Sequence, residues 1–246
     1  MIPKIVHISA KSENIFSSNC FMCKNGIQNL IKLNADWKVY FSNDEKVDSY
    51  LKENISQSDY EFIKTKSIVE KLDLWRLIKL YLEGGMYIDI DRFYNIPLSK
   101  IITDETRCVL PTYHDHDFSH DIMLSEPNNP IFLDAANLNM HRRKMGYNHI
   151  YLLGPQTYMH AISKNLTGQI LESNPGQEIM NSLRQQIQNT GFAKTYRETP
   201  WKDTLVFNAT PEYDSVDFGR EKILMYKDLG MSYWAGPLYT DKGETF

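Results

Sequence analysis

Five residues in one short stretch, Asp73, Arg76, Tyr87, Asp89 and Asp91, have the types and spacing that chemistry needs. Side chains two apart on a strand share a face, so Asp89 and Asp91 are expected to point together into a crevice. Two carboxylates there repel each other, and a hard divalent cation relieves that repulsion. Mg²⁺ and Mn²⁺ prefer oxygen ligands and are held by one or two carboxylates plus substrate phosphates. Such an ion bridges a diphosphate and offsets charge on a departing nucleotide. Asp73 and Arg76 are three apart and fall on one helix face; arginine suits phosphate or an array of sugar hydroxyls. Taken singly, each feature has a plainer explanation. Asp-x-Asp is common in solvated turns, an Asp/Arg pair at i,i+3 is usually a weak surface ion pair, and a lone tyrosine is a core aromatic. Their concentration in one window around Gly84-Gly85 argues for a site.

The elements that must position these residues read as an alternation of strands and helices. Lys4 to Ile8 reads as a buried first strand, Ser17 to Leu33 as a helix, and Trp37 to Phe41 as a second strand. Ser42-Asn43-Asp44 breaks the chain. Asp44 to Lys52 and Asp59 to Ile68 read as short helices. The spacing of Leu74, Leu77, Ile78, Tyr81 and Leu82 predicts a helix over Leu72 to Leu82. Gly84-Gly85 should end it in a left-handed turn, folding Asp73 and Arg76 back toward a short strand, Met86 to Asp89. Further on come a strand at Cys108 to Leu110, helices at Ile131 to Lys144, about Pro155 to Asn165 and 177 to 189, and a mixed tail. No repeat or linker interrupts this order, so a single α/β domain with a mainly parallel central sheet and flanking helices is expected. Its donor-binding core would span about residues 1–110 and its acceptor-side and closing segments about 111–246. In such sheets ligands sit at the carboxyl ends of strands, where Asp89 and Asp91 lie.

Composition excludes some classes. Of the 246 residues, 42% are hydrophobic, enough for a sizeable core, and the formal net charge of −4 argues against broad nucleic-acid binding. No apolar run approaches the ~20 residues needed to span a bilayer, and no secretory signal is evident, so the expectation is a soluble, cytoplasmic protein. Cys20, Cys23 and Cys108 cannot all pair within one chain. Cys20-Phe21-Met22-Cys23 has zinc-ligand spacing without a second pair or a nearby histidine, and reads as two ordinary thiols on a helix.

The stretch from Asp73 to Asp91, Asp-Leu-Trp-Arg-Leu-Ile-Lys-Leu-Tyr-Leu-Glu-Gly-Gly-Met-Tyr-Ile-Asp-Ile-Asp, resembles the DxD sugar-binding region of glycosyltransferases related to yeast initiating mannosyltransferase, bacterial capsular transferases and the core of the clostridial glucosylating toxins. Ile2 to His7 is similar to that family's first strand and Gly154-Pro155 to its Gly-Pro turn. The resemblance implies a single GT-A type domain and a nucleotide-diphosphate sugar donor, UDP over GDP. Mn²⁺ or Mg²⁺ would be the cofactor, and transfer to a glycan acceptor would proceed with retention by front-face displacement. It implies that Asp73 and Arg76 bind the donor's sugar and diphosphate, and that Tyr87 packs at the ribose or sugar. Asp89 would hold sugar and ribose hydroxyls and reach the metal partly through water, with Asp91 the direct metal ligand. His7 and Asn43 would touch the nucleotide base. Ser232 and Trp234 would form a closing segment that completes the metal shell, with Ser232 standing where many members carry a histidine.

The loop His114-Asp115-His116-Asp117-Phe118-Ser119-His120-Asp121 reads either as acceptor-facing or as a solvated loop, and His141-Arg142-Arg143-Lys144 as a solvated helix end or a contact for an acidic acceptor or a membrane surface, which would make the protein peripheral. The leading activity is the building of a surface glycan such as a capsule or lipopolysaccharide. Alternatives are a toxin-like effector modifying a protein side chain, a glycosidase and a non-catalytic nucleotide-sugar-binding module. A glycosidase needs carboxyls about 5–9.5 Å apart flanking a sugar bond, which two residues on one strand face suit poorly.

Overall fold

The computed structural model describes residues 1–92, 94, 97–113, 117–118, 120–168, 182, 185, 193–198 and 218–231. The chain opens with β1 (Ile5–Ser9), whose central residues are buried. A 3₁₀ turn over Glu13–Phe16 follows, and then three short helical pieces: α1 (Phe21–Cys23), a π-helical stretch over Lys24–Gln28 and α2 (Asn29–Leu33). They occupy the range expected for one continuous helix; Gly26 has non-helical dihedrals and breaks it. Next come β2 (Lys38–Ser42), α3 (Asp44–Asn54) and α4 (Gln57–Ile63).

The long helix α5 (Ile68–Glu83) begins earlier than its apolar spacing alone indicated. Ser67 and Glu70 form a capping box: the Ser67 side chain accepts from the Glu70 amide, and Glu70 Oε2 accepts from the Ser67 amide at 3.1 Å. The helix passes through Gly84 directly into β3 (Gly85–Ile88). Gly84 has φ 65° and ψ −158°, so it turns the chain from an extended glycine conformation and not from the left-handed helical well. A Cβ at Gly84 would lie 2.7 Å from the Pro127 nitrogen, and one at Gly85 would lie 2.6 Å from the Ile5 carbonyl oxygen. Both backbones therefore need glycine.

The remaining elements are β4 (Cys108–Tyr113), β5 (Asp117–Phe118), β6 (Ile122–Ser125), α6 (Pro130–Lys144), α7 (Ile150–Leu153), α8 (Pro155–Thr167), β7 (Ala193–Glu198) and α9 (Phe218–Asp228). The helix expected at 177 to 189 lies outside the described residues except at 182 and 185. The strands form one sheet in the order β2-β1-β3-β6-β4-β5, with β7 paired to β4. This is the expected α/β architecture with one central sheet. Pairings β1–β2, β1–β3 and β4–β7 are parallel, whereas β3–β6, β4–β6 and β4–β5 are antiparallel. β4 and β5 pair antiparallel because the connection between Tyr113 and Asp117 is too short for a crossover.

Every residue of β3 is buried, as a central strand requires. Tyr87 faces the cluster of Leu74, Trp75, Leu110 and Phe132 under α5 and α6. Met86 and Ile88 face the opposite cluster of Val6, Ile8, Met22 and Leu124. β2, β1 and β3 are mutually parallel through β1, so their carboxyl ends gather at one edge, where the chain leaves β3 toward Asp89.

His7 in β1 is fully buried, and its Nε2 lies 2.8 Å from the Gly84 carbonyl oxygen. A carbonyl only accepts, so Nε2 carries the proton. Nδ1 is buried without a hydrogen-bond partner. Burial pushes the imidazole down to about 4. The unfolded chain holds a proton on His7 up to about pH 6.5, so between those values the unfolded state binds more protons and stability rises with pH. On going from pH 7 to pH 4, the protein is expected to lose roughly 2–3 kcal/mol more than a His7→Gln variant, which keeps a donor for Gly84, as read from urea unfolding at the two pH values.

Candidate active site

The site sits where α5 and β3 lie back to back. Because the Gly84 turn is so tight, Arg76 on the helix and Asp89 just past the strand meet although they are 13 residues apart: Arg76 Nη1 donates to Asp89 Oδ1 at 3.3 Å. The same nitrogen donates to the His120 carbonyl at 3.0 Å, and Nη2 lies 3.1 Å from Asp73 Oδ1. The guanidinium also covers the Tyr87 ring, 4.7 Å from its centroid. The Tyr87 hydroxyl donates to Asp89 Oδ1. Helix, strand and turn are thus tied through one carboxylate oxygen.

Asp73 is deeper, 2% exposed. Around it stand Arg76, His120 with Nε2 at 3.6 Å from Oδ1, and Arg143 with Nη2 at 3.5 Å from Oδ2. Arg143 in turn donates to Glu70 Oε1 at 2.8 Å. Charges of alternating sign therefore run from the capping box of α5 to the turn after β3: Glu70, Arg143, Asp73, Arg76, Asp89. Burial pushes the Asp73 carboxyl up, but His120, Arg76 and Arg143 more than offset this and hold it below the usual carboxylate range. Asp89 goes the other way. Its burial, together with Asp91 and Asp121, outweighs Arg76 and raises it. For Asp91, Arg92 and Lys222 outweigh burial and lower it.

Several expectations change in detail. Asp89 and Asp91 are not on a strand: β3 stops at Ile88, and Asp91 lies in the turn that follows. The aspartates also have bases at hand: Arg92 follows Asp91 directly in the chain and lowers its carboxyl, and Lys222 Nζ on α9 lies 2.8 Å from Asp91 Oδ2. Tyr87 is 3% exposed, with its ring under Arg76 and edge-on to Trp75, so it serves the site by its hydroxyl on Asp89 and presents no ring to a ribose. His7 is buried against Gly84 and cannot reach a base. Asn43 is the N-cap of α3, its Oδ1 accepting from the Lys46 amide at 3.0 Å. Ser232 and Trp234 lie outside the described residues, as do His114, Asp115, His116 and Ser119 of the histidine-rich loop.

The basic run on α6 is not a solvated helix end. Arg143 is 4% exposed within the charge chain, Arg142 Nη1 donates to the Leu152 carbonyl and Thr157 Oγ1, and Lys144 pairs with Asp59. Cys20 caps α1 with its sulfur, and burial pushes Cys23 and Cys108 up to about 12, which leaves them inert as thiols.

His120, Asp121, Arg92, Arg143 and Lys222 are site residues that the pattern Asp-x-Asp does not reveal. Asp121 receives the Asp89 amide on its carbonyl at 2.8 Å and pairs through its carboxylate with Arg92, fixing both flanks of the turn. The His120 ring fits because residue 154 is glycine: a Cβ there would lie 2.7 Å from Nε2. One signal was available for Lys222. It shares the helical spacing of the buried Met225, Tyr226 and Leu229, which places it on the inward face of α9.

Among the described residues no third His, Cys, Asp or Glu joins Asp89 and Asp91 in a group able to hold a metal ion. Two carboxylates alone suit Mg²⁺ or Mn²⁺, which take one or two protein oxygens and complete their shell with phosphate and water, and suit zinc poorly. The donor set thus fits a hard divalent ion that arrives with a phosphorylated ligand.

Residues 21–108, from α1 through the Asp89–Asp91 turn to the start of β4, match the family described as the glycosyltransferase sugar-binding region containing the DXD motif. The expected likeness to that class is borne out. Inositol phosphoceramide mannosyltransferase 1 of Schizosaccharomyces pombe is 28% identical over 61% of this chain and 45% of its own length. Mannosyl phosphorylinositol ceramide synthase SUR1 of Saccharomyces cerevisiae is 30% identical over 58% of this chain and 36% of its own. The matched region thus spans less than half the length of these curated relatives. Among solved structures, PaToxG glycosyltransferase aligns over 94% of this chain and 88% of that one, at 17% identity and a TM-score of 0.48. No helix among the described residues is long and apolar enough to cross a membrane.

The charge chain yields a stability contrast. Arg143→Met leaves the Asp73 carboxylate with one fewer counter-charge in a buried place and is expected to cost about 3 kcal/mol in urea unfolding. Lys144→Met, one residue on, removes a half-exposed pair with Asp59 and should shift stability by less than about 1 kcal/mol.

Proposed function

We propose that this chain is a metal-dependent glycosyltransferase that moves a sugar from a nucleotide-diphosphate donor to a glycan acceptor at the turn bearing Asp89 and Asp91. The observation that carries this reading is the convergence of Arg76, Tyr87 and Asp89 within the segment that matches the DXD sugar-binding region. Both contacts on Asp89 fall on Oδ1. That leaves Oδ2 for a sugar hydroxyl or for water on the metal in this reading. Asp91 is the direct ligand of Mn²⁺ or Mg²⁺. When bound, that ion offsets the charge developing on the departing diphosphate.

Arg76 contributes a fixed positive charge beside the reacting groups, one that burial does not remove because Tyr87, Asp89 and Asp73 stabilise it. Asp73 orients Arg76 and His120 together. A retaining, front-face displacement suits this arrangement, since it needs a positioned acceptor and a stabilised leaving group and no protein nucleophile. The mannosyl group in the relatives' names points to a mannose nucleotide as donor, so GDP-mannose stands beside the UDP-sugars as a candidate. A phosphoinositol-containing acceptor is the corresponding choice on the other side, beside bacterial-type surface glycans.

Nucleotide release from a panel of UDP- and GDP-sugars with Mn²⁺ tests the proposal. Release from one donor is expected, with EDTA abolishing it and Asp91→Ala lowering it on the order of 10²-fold or more. Absence of both turnover and metal-dependent donor binding across the panel would sink the reading.

A further inference from the structure

Helix α9 brings a cation to the one carboxylate that the proposed reaction reserves for a metal. Lys222 Nζ lies 2.8 Å from Asp91 Oδ2, and the two side chains are 18% and 13% exposed. The contact is not an incidental surface meeting. Lys222 shares the inward face of α9 with Met225, Tyr226 and Leu229, which are buried in the same core cluster as Met22, Cys23 and Ile27. The helix is further pinned where Ser18 Oγ donates to Asp228 Oδ2 at 2.5 Å and Lys11 Nζ reaches the Gly230 carbonyl at 3.4 Å. The ammonium is therefore delivered to Asp91 by a helix whose seat is fixed elsewhere.

A divalent ion on either oxygen of Asp91, at about 2.0–2.1 Å for Mg²⁺, would stand within a few ångströms of the ammonium and be repelled by it. We propose that Lys222 is the resident counter-ion of Asp91: it neutralises the carboxylate while no metal is bound, and a divalent ion must displace it to enter. This rests on the reading of Asp91 as a metal ligand. It makes Lys222 a residue that sets metal affinity, not a ligand and not a group that touches the sugar. The stem of Lys222 is long enough to swing away while α9 stays in place, so the displaced ammonium remains close to the diphosphate that enters with the ion.

The test is Mn²⁺ binding, read from the electron paramagnetic resonance signal of free Mn²⁺, for wild type, Lys222→Met and Lys222→Arg. Removal of the competing charge should tighten Mn²⁺ binding on the order of tenfold in Lys222→Met, the size expected for loss of one partly buried ion pair. Lys222→Arg should stay close to wild type. Equal or weaker binding by a folded Lys222→Met protein overturns the proposal. A second readout needs no variant: mass-spectrometric mapping of amine labelling should find Lys222 several-fold more reactive with Mn²⁺ than without it, and unchanged reactivity counts against displacement. If Mn²⁺ binds neither wild type nor Lys222→Met, alone or with UDP or GDP, the metal reading of Asp91 fails and this inference goes with it. If both bind with equal affinity, the metal reading stands and only the role of Lys222 falls.

Discussion

A buried arginine cannot be left without partners, and Arg76 organises this molecule around that requirement. Its guanidinium is 7% exposed, and taking such a charge out of water costs several kcal/mol unless its hydrogen bonds are replaced. The replacements come from four separate places in the chain: Asp73 on the same helix, the Tyr87 ring on the neighbouring strand, Asp89 in the turn and the His120 carbonyl before β6. Each partner is held in register by the others. The turn through Gly84 makes this possible, because any longer connection would slide α5 along β3 and separate Arg76 from Asp89.

The sheet serves the same end. Parallel pairing of β1 with β2 and β3 gathers three strand ends at one edge, while antiparallel β6 brings Asp121 alongside Asp89. The turn bearing the aspartates is thus braced on one side by a backbone bond to Asp121, just before β6, and on the other by the Arg92–Asp121 pair. Rigid flanks matter for a carboxylate pair whose oxygens must meet an ion at defined distance. The opposite core face contributes through α9, which reaches the turn from the far end of the chain.

Much of this was legible from sequence because it is local. Helix α5 showed its apolar spacing, Gly84-Gly85 marked the reversal, and Asp73, Arg76, Asp89 and Asp91 stood within one window. The N-terminal start of α5 was legible too, in Ser67-x-x-Glu70, yet the apolar periodicity drew the boundary later. What stayed hidden is non-local. That Arg143 turns inward depends on α6 packing against α5, and nothing in His-Arg-Arg-Lys tells which of its bases is buried. His7 looked like a residue at a strand end, but its partner is a carbonyl that only the fold supplies. The antiparallel part of the sheet was missed because β6 is four residues long and its apolar run gives no direction.

Glu70 belongs to two structures at once. One of its oxygens caps the first turn of α5 and the other holds Arg143, the next member of the charge chain. Helix initiation and the polarity of the site therefore share a single side chain. Substitutions at Glu70, Asp73, Arg76, Asp89 and Arg143 will consequently fail to combine additively, since each changes what its neighbours must compensate. Divergence at these positions then has to proceed in coordinated sets: a lineage that alters one charge in the row must change an adjacent one or lose the fold's tolerance, which confines variation in specificity to residues that line the site without belonging to the row.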